Sequence, residues 1–206
     1  MLIKYMFQNF RSFKGKTQLD MGAGPQRTLD ENLIRQNGLR ILPSAVIYGA
    51  NASGKSNIIM SLALMREIVL QGSLEASSPD LNNLELYPFA HSSDRNPMLF
   101  EVEFINQDSH FLYSFEVMTK LFDKEKRQIT SEQLWIKNNK VMVQIFERNL
   151  QRVAIKRDKK VLSLIQYDEK LLAEFENKIN KNLDQAELFL THAFKTVVSS
   201  EIADKV

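Results

Sequence analysis

The strongest constraint on the fold is a glycine-bearing loop between an apolar segment and a helical pattern. The apolar segment, Ser44-Ala45-Val46-Ile47-Tyr48, predicts a short, fully buried strand. After the loop, apolar side chains cover most of the helical surface from about Lys55 to Leu70, which predicts a helix buried on most sides. Gln71-Gly72 supplies its end. A buried strand followed by such a helix is typical of α/β folds.

The loop itself has the spacing of a phosphate-binding loop, since Gly49 to Ser56 matches GxxxxGK[ST]. Gly49 and Gly54 permit positive φ, so successive backbone N–H groups can turn inward and form an anion-binding nest. The N-terminus of the next helix adds partial positive charge. Lys55 is placed to reach the β- and γ-phosphates, and the Ser56 hydroxyl to ligate Mg²⁺. The pattern predicts a nucleotide site.

The segments around the loop alternate with the period of strands. Ile3, Tyr5 and Phe7 predict a half-buried strand, and Thr17 to Met21 a return strand after a turn at residues 9–15. No element is predicted for the polar segment from Gly22 to Gly38. From about residue 99 to 156, four or five short strands joined by charged turns predict an antiparallel meander.

The last fifty residues have helical spacing. Apolar residues recur in this way at Leu171, Leu172, Phe175 and Ile179, and again at Leu183, Ala186, Phe189, Leu190 and Phe194. We therefore predict one lobe over residues 1–160, with its phosphate loop at 49–56, and a helical segment over residues 161–206.

Together these motifs resemble the start of an ABC-type ATPase head. The resemblance is to SMC-like proteins, RecF-like repair proteins, OLD-type ATPases and related bacterial AAA-labelled ATP-binding proteins. It rests on Asn9-Phe10-Arg11-Ser12-Phe13 at the end of a strand, on the return strand, and on the loop. Asn51 within the loop and Asn57 just after it are typical of this group. Tyr87-Pro88-Phe89 and the meander extend the likeness over most of the chain.

The resemblance implies a P-loop NTPase with ATP and Mg²⁺ as its ligands. A mixed core sheet would surround the loop helix, with an antiparallel β-subdomain over the nucleotide and helices at the C-terminus. Arg11 and Ser12 would lie near the adenine, ribose or phosphates, and Ser56 would hold Mg²⁺. The remaining nucleotide contacts would come from the loop and its flank: Gly49, Asn51, Ala52, Ser53, Gly54, Lys55 and Asn57. In such heads two copies enclose two ATP molecules.

Hydrolysis in this class also requires a Walker B strand that ends in Asp-Glu. The best candidate is the segment from Val161 to Glu169, with Asp168 and Glu169 as its acids, and we reject it. Gln166 would place an amide in a buried strand, and Asp168-Glu169 leads directly into a helical pattern, where carboxylates complement the dipole. We therefore expect the incomplete, N-terminal part of a head, which alone is inactive or very weak. An expressed fragment, a truncated gene or a split subunit would each explain this.

Two other functions compete with an ATPase of DNA repair, DNA maintenance or anti-phage defence. The first is a nucleotide-binding regulatory or dimerisation module that does not hydrolyse ATP. The second, a P-loop kinase, is disfavoured because an antiparallel meander follows the loop helix instead of parallel βα units. The expected partners are a second head or a complementing C-terminal half, with DNA and a nuclease or other effector as further candidates.

Composition excludes several classes of site. The 206 residues contain no cysteine, which excludes disulfides and thiolate metal sites. The charge is nearly balanced, with 27 Lys and Arg against 25 Asp and Glu, and does not indicate a class of binding partner. The basic stretches Lys124–Arg127 and Arg152–Lys160 contain interspersed acids, as solvated turns do, although such stretches can also contact DNA. The most apolar window, Ile58–Leu70, is shorter than the ~20 residues of a membrane span. We expect a cytoplasmic protein.

Overall fold

A long antiparallel sheet organises the chain, which is represented by a computed structural model. The structure describes residues 1–26, 28–74, 86–90, 96–120, 123–164 and 168–196. Its strands are β1 (Leu2–Gln8), β2 (Thr17–Asp20), β3 (Ile34–Gln36), β4 (Leu39–Ile41), β5 (Met98–Asn106), β6 (Ser109–Lys120), β7 (Asp123–Asn138), β8 (Val141–Asn149) and β9 (Arg152–Ile155). Its α-helices are α1 (Lys55–Gln71), α2 (Lys159–Leu162), α3 (Glu169–Asn182) and α4 (Phe189–His192).

Seven of these strands form one sheet in the order β2-β1-β5-β6-β7-β8-β9. Each neighbouring pair is antiparallel, and the five strands from β5 to β9 follow one another as a meander, as predicted. The predicted alternation of β1 is also confirmed, since every second residue from Ile3 to Phe7 is buried. One row across the sheet pairs Tyr5, Val102, Tyr113, Leu134, Phe146 and Ile155.

One face of the sheet carries the main core, and aromatic side chains dominate it. The ring centroids of Phe100 and Phe115 lie 5.5 Å apart, and those of Phe146 and Phe189 lie 4.8 Å apart in an edge-to-face pair. Helix α1 packs against the same cluster. Each buried side chain of this size stabilises the fold by roughly 1.5–3 kcal/mol. The packing of α1 on the sheet is therefore stable.

Helix α1 is confirmed where the sequence places it, and Gly72 ends it with a φ of 74°. Its predicted burial on most sides is wrong. Ser61, Leu64, Met65 and Ile68 form one buried stripe, whereas Ile59 and Leu70 are 57% and 64% exposed. The reason is that, among the described residues, the helix packs against the sheet on one side and its opposite side faces solvent.

The predicted buried strand before the loop is also not observed. Residues 44–48 have no strand pairing, and the side chains of Val46 and Tyr48 are 85% and 90% exposed. A strand needs a neighbour to satisfy its backbone groups, and the described residues offer none beside this segment. The predicted mixed core sheet is therefore not seen in these parts of the chain, where every strand pairing is antiparallel.

The C-terminal helical pattern is right in part. Helix α3 is confirmed, but residues 183–188 are not helical, and α4 is a single turn. Here the backbone instead bonds to neighbouring elements: Leu188 N donates to Gly72 O at 2.8 Å, and Leu74 N donates to Ala186 O at 2.8 Å. Residues 197–206 lie outside the described part.

Two strands that the sequence analysis did not predict, β3 and β4, form a small antiparallel hairpin. Its turn residues, Asn37 and Gly38, have φ of 52° and 74°. None of the helices in the described residues is long and apolar enough to cross a membrane.

Candidate functional site

The loop at residues 49–54 leads directly into α1, so that Lys55 is the first residue of the helix. The Lys55 ammonium Nζ donates to the carbonyl oxygens of Gly49 at 2.9 Å and Ala50 at 2.7 Å. The loop is closed further by Ser53 N, which donates to Ala50 O at 3.3 Å. The cation is therefore held over the start of the loop, beside the N-terminal end of a helix, where an anion would be attracted.

Two loop residues have the left-handed backbone that a nest of N–H groups requires. Gly54 has a φ of 92°, as predicted, but the second position is Ala52, at 62°, and not Gly49. Position 49 favours glycine for a different reason, which is lack of space: a Cβ there would lie 3.0 Å from the Ser53 Oγ. The prediction of positive φ at Gly49 is thus wrong, and close packing within the loop is the reason for this glycine.

The outer side of the loop is open to solvent. Asn51, Ala52, Ser53 and Ser56 are exposed, so a ligand can reach their backbone and hydroxyl groups. The Ser56 hydroxyl suits a Mg²⁺ ion that takes its other ligands from phosphates and water. The described residues contain no group of three or more His, Asp or Glu side chains that would hold a metal ion unaided.

The N-terminal turn at residues 9–13 packs against the end of the loop. Asn57 Nδ2 donates to Ser12 Oγ at 2.9 Å. A Cβ on Gly54 would lie 2.9 Å from this same Oγ and 3.1 Å from the ring of Phe13. The structure therefore brings Ser12 together with Gly54 and Asn57, although more than forty residues separate them in sequence.

Arg11, in the same turn, contacts an aromatic residue outside the turn that sequence reasoning did not select as a site residue. Its guanidinium carbon lies 5.5 Å from the ring centroid of Tyr87, and its backbone N–H donates to Tyr87 O at 2.8 Å. In sequence, Tyr87 stood only within the Tyr-Pro-Phe segment of the resemblance. In the structure Tyr87 is 51% exposed, which is high for a residue of this size, and it lies beside a cation.

The rejected acids of the Walker B candidate lie at the start of α3. Asp168 is the N-cap of this helix and its Oδ1 accepts from Leu171 N at 2.8 Å, while Glu169 lies in the first turn. Upstream, Val161 and Leu162 belong to the short helix α2 and not to a strand, and residues 165–167, with Gln166, lie outside the described part. Asp168 thus serves an ordinary helix start here.

The basic stretches are partly neutralised. Arg157 pairs with Glu176 at 2.7 Å and Lys156 with Glu147 at 2.6 Å. The side chains of Lys124, Lys126 and Lys160 lie outside the described residues. The contact of these stretches with DNA therefore stays a prediction.

The comparison with known families decides the class of this loop. Residues 44–183 match a family model described as "AAA domain, putative AbiEii toxin, Type IV TA system". The match covers more than half of the chain and includes the whole loop and α1. The chain belongs to this family. Membership in this AAA-domain family implies a P-loop NTPase that binds nucleotide. The N-terminal turn lies outside the matched residues. No curated protein sequence matches the chain.

Proposed function

We propose that this chain binds ATP with Mg²⁺ at the loop and forms the N-terminal lobe of an ABC/SMC-like ATPase head. The observation that carries the proposal is the position of Lys55, whose ammonium lies over the carbonyls of Gly49 and Ala50 at a helix N-terminus. In the proposed complex, phosphate oxygens take the place of these two carbonyls. The Lys55 ammonium should bind a triphosphate more strongly than these carbonyls because the triphosphate is an anion.

The chain's own residues divide the task of binding. Backbone N–H groups of the loop, oriented by the left-handed Ala52 and Gly54, would contact phosphate oxygens. Lys55 would neutralise charge on the β- and γ-phosphates, and Ser56 would ligate Mg²⁺. Mg²⁺ held by Ser56 would supply further positive charge to the phosphates. Ser12 and Asn57 would keep the loop in place.

Turnover requires, in addition, a group that orients the attacking water. The candidate pair from the sequence, Asp168 and Glu169, lies at the start of α3. There, Asp168 caps the helix. We infer that the chain alone binds ATP with little or no turnover, and that a C-terminal half with a signature and a Walker B strand completes the site. A dimer of heads would then close over the nucleotide.

The family description suggests the biological setting. It names a toxin of a type IV toxin–antitoxin system, and such systems fit a role in anti-phage defence better than one in general DNA repair. We propose an ATP-dependent component of such a system, with a nuclease or other effector as its partner.

The test measures binding and turnover on the same preparation. We expect equilibrium titration with Mg-ATP to show saturable binding, while phosphate release stays at the background rate. Asp168→Asn and Glu169→Gln, which keep side-chain size, should leave both results unchanged. Robust hydrolysis that either substitution abolishes would contradict the assignment of these acids to a helix start. Failure to bind ATP would contradict the proposal itself.

A further inference from the structure

Strand β9 is the last strand of the seven-strand sheet, and side chains occupy its outer edge in place of a further strand. Asn180 of α3 accepts from Val153 N at 2.7 Å and donates from Nδ2 to Val153 O at 3.2 Å. Glu176, one turn earlier on α3, accepts from Ile155 N at 2.6 Å. The Arg157 guanidinium donates to Ile155 O. The N–H and C=O groups of Val153 and Ile155 are therefore all bonded to side chains.

The spacing of the two α3 residues matches the spacing of a strand. Residues four apart in an α-helix are separated by about 6 Å along the axis, and residues two apart in a strand by about 6.6 Å. Asn180 and Glu176 can therefore reach Val153 and Ile155 in turn. The Asn180 amide bonds to both backbone groups of Val153, as the N–H and C=O groups of a neighbouring strand would. Helix α3 thus supplies hydrogen bonds that a further strand could supply instead.

The contact of α3 with this edge combines polar bonds with a small apolar contribution. Leu172 is the buried side chain of α3, Phe175 and Ile179 are partly buried, and Leu171 is 49% exposed. A strand that replaced α3 at the edge would satisfy the same backbone groups, so the exchange need leave no buried polar group unpaired. The balance between the two arrangements therefore depends on the apolar contacts of α3 and on charge.

Cations at the edge indicate the charge of a segment that fits it. Arg152 begins β9 and is exposed, and Arg157 follows its end. Glu176 binds Arg157 through both guanidinium nitrogens, at 2.8 and 2.7 Å. A segment that displaces Glu176 must therefore offer Arg157 a carboxylate of its own to keep this charge-assisted pair. The edge fits an extended chain with acidic side chains.

A second copy of the same strand fits the edge less well. If two β9 strands paired antiparallel so that Val153 and Ile155 exchanged hydrogen bonds, Arg152 would lie opposite Lys156 of the copy. Like charges directly opposite each other destabilise a strand pair. The charge of the edge therefore favours an acidic partner over pairing between copies.

We propose that the outer edge of β9 is a docking site for an extended, acidic segment of a partner protein, and that α3 occupies this site in the free chain. The incoming segment adds a strand to the sheet, and its main-chain hydrogen bonds to Val153 and Ile155 supply affinity. A carboxylate of the segment replaces Glu176 beside Arg157 and supplies specificity. Helix α3 leaves the edge when the segment binds. The proposal does not depend on the binding of nucleotide.

The experiment compares two double variants of α3. The uncovered variant, Glu176→Ala with Asn180→Ala, removes the hydrogen bonds that α3 makes to Val153 and Ile155. The control variant, Glu174→Ala with Asn177→Ala, changes the same residue types at exposed positions of the same helix. Both variants and the wild type are titrated with a capped peptide in which valine and glutamate alternate, and with its valine–lysine counterpart.

We expect the uncovered variant to bind the glutamate peptide at least about 10-fold more tightly than the wild type does, a gain that corresponds to one or two net hydrogen bonds. The control variant should bind this peptide as the wild type does. The lysine peptide should bind more weakly than the glutamate peptide to all three proteins.

Equal affinity of the uncovered and control variants for the glutamate peptide overturns the role of α3 as the cover of the edge. Equal binding of the two peptides overturns the acidic partner. Self-association of the uncovered variant without peptide, measured by sedimentation at increasing concentration, overturns it in favour of a second copy.

Hydrogen exchange of the wild type tests the proposal even if the uncovered variant does not fold. With the glutamate peptide at a saturating concentration, the backbone amides of α3 should exchange faster, while those of Val153 and Ile155 should stay protected. Unchanged exchange of α3 overturns the proposal.

Discussion

The side-chain amide of Asn57 donates a hydrogen bond to the hydroxyl of Ser12 over 2.9 Å. It joins the turn after the first strand to the first turn of the loop helix. Through this contact, the N-terminal strand pair and the phosphate loop become parts of one site.

This hydrogen bond is expected to contribute modestly to stability. Ser12→Ala and Asn57→Ala should each lower the free energy of unfolding by about 0.5–1.5 kcal/mol, the usual net value of one hydrogen bond. The double variant should cost little more than either single variant, because both substitutions remove the same interaction. Urea denaturation of all four proteins measures this. Fully additive losses would show that the two side chains do not interact in solution.

Gly54 is expected to tolerate no side chain. In Gly54→Ala the Cβ would meet Ser12 Oγ at 2.9 Å and the Phe13 ring at 3.1 Å, in addition to the strain at a φ of 92°. We expect a clear loss of ATP affinity together with destabilisation, measured by titration and thermal unfolding.

Gly38→Ala is the matched control for this substitution. Gly38 also has a positive φ, of 74°, but its added Cβ would meet nothing within 4 Å. It should therefore cost only the roughly 1–2 kcal/mol of left-handed strain and leave ATP binding intact. Similar effects of the two substitutions would mean that the contact between the turn and the loop is unimportant.

Periodic patterns identified most of the elements because the large sheet has one buried face. Alternation in β1 and the meander follows directly from that geometry. The hairpin at β3 and β4 was missed although Asn37-Gly38, a strong two-residue turn sequence, marks it. The two short strands were not predicted because charged and polar residues surround them. The turn itself could have been predicted.

The errors arise where the outcome depends on distant residues. An apolar segment such as residues 44–48 predicts a strand only if a neighbouring strand is present, which local sequence does not tell. The apolar residues after Leu183 have helical spacing, but residues 183–188 do not form a helix. Instead, the Arg148 guanidinium donates hydrogen bonds to the carbonyl oxygens of Asp184 and Glu187. Likewise, Tyr87 contacts Arg11 only through the tertiary fold, so residue spacing could not predict this contact.

A buried carboxylate fixes the same C-terminal segment to the sheet. Glu132 is fully buried and accepts hydrogen bonds from Phe189 N at 2.7 Å, Leu190 N at 2.9 Å and the Tyr113 hydroxyl at 2.9 Å. Arg148 lies 3.8 Å away. Glu132→Gln would set an amide N–H₂ against one of these donors and leave that donor unsatisfied in the core. We expect a loss of about 1–3 kcal/mol in the free energy of unfolding.

Glu147→Gln provides the control, since it alters a half-exposed carboxylate that pairs with Lys156. Such a surface pair is worth about 0–1 kcal/mol. Denaturant unfolding of the three proteins compares these values. An equally small effect at Glu132 would show that its buried hydrogen bonds do not stabilise the fold.

The stability contributed by Glu132 should also depend on pH. Burial raises the pKa of Glu132 above its ordinary 4.5, while the two backbone N–H groups, Arg148 and Tyr113 oppose the rise. The folded chain therefore holds this proton more tightly than the unfolded chain, and the contribution is complete below about pH 4.5 and falls as the pH rises through the raised pKa. The difference in unfolding free energy between wild type and Glu132→Gln should shrink as the pH rises above about 4.5. A difference that grows over this interval would contradict the raised pKa.

Binding of the phosphates of ATP by the loop at residues 49–57 should depend above all on Lys55. Calorimetric titration with Mg-ATP should show saturable binding by the wild type and a loss of about 10- to 100-fold in affinity for Lys55→Ala, the value of a charge-assisted hydrogen bond. Lys140→Ala, which removes the same charge from an exposed turn between β7 and β8, should bind as the wild type does. Equal affinity of Lys55→Ala and the wild type would show that the loop does not bind the phosphates through Lys55.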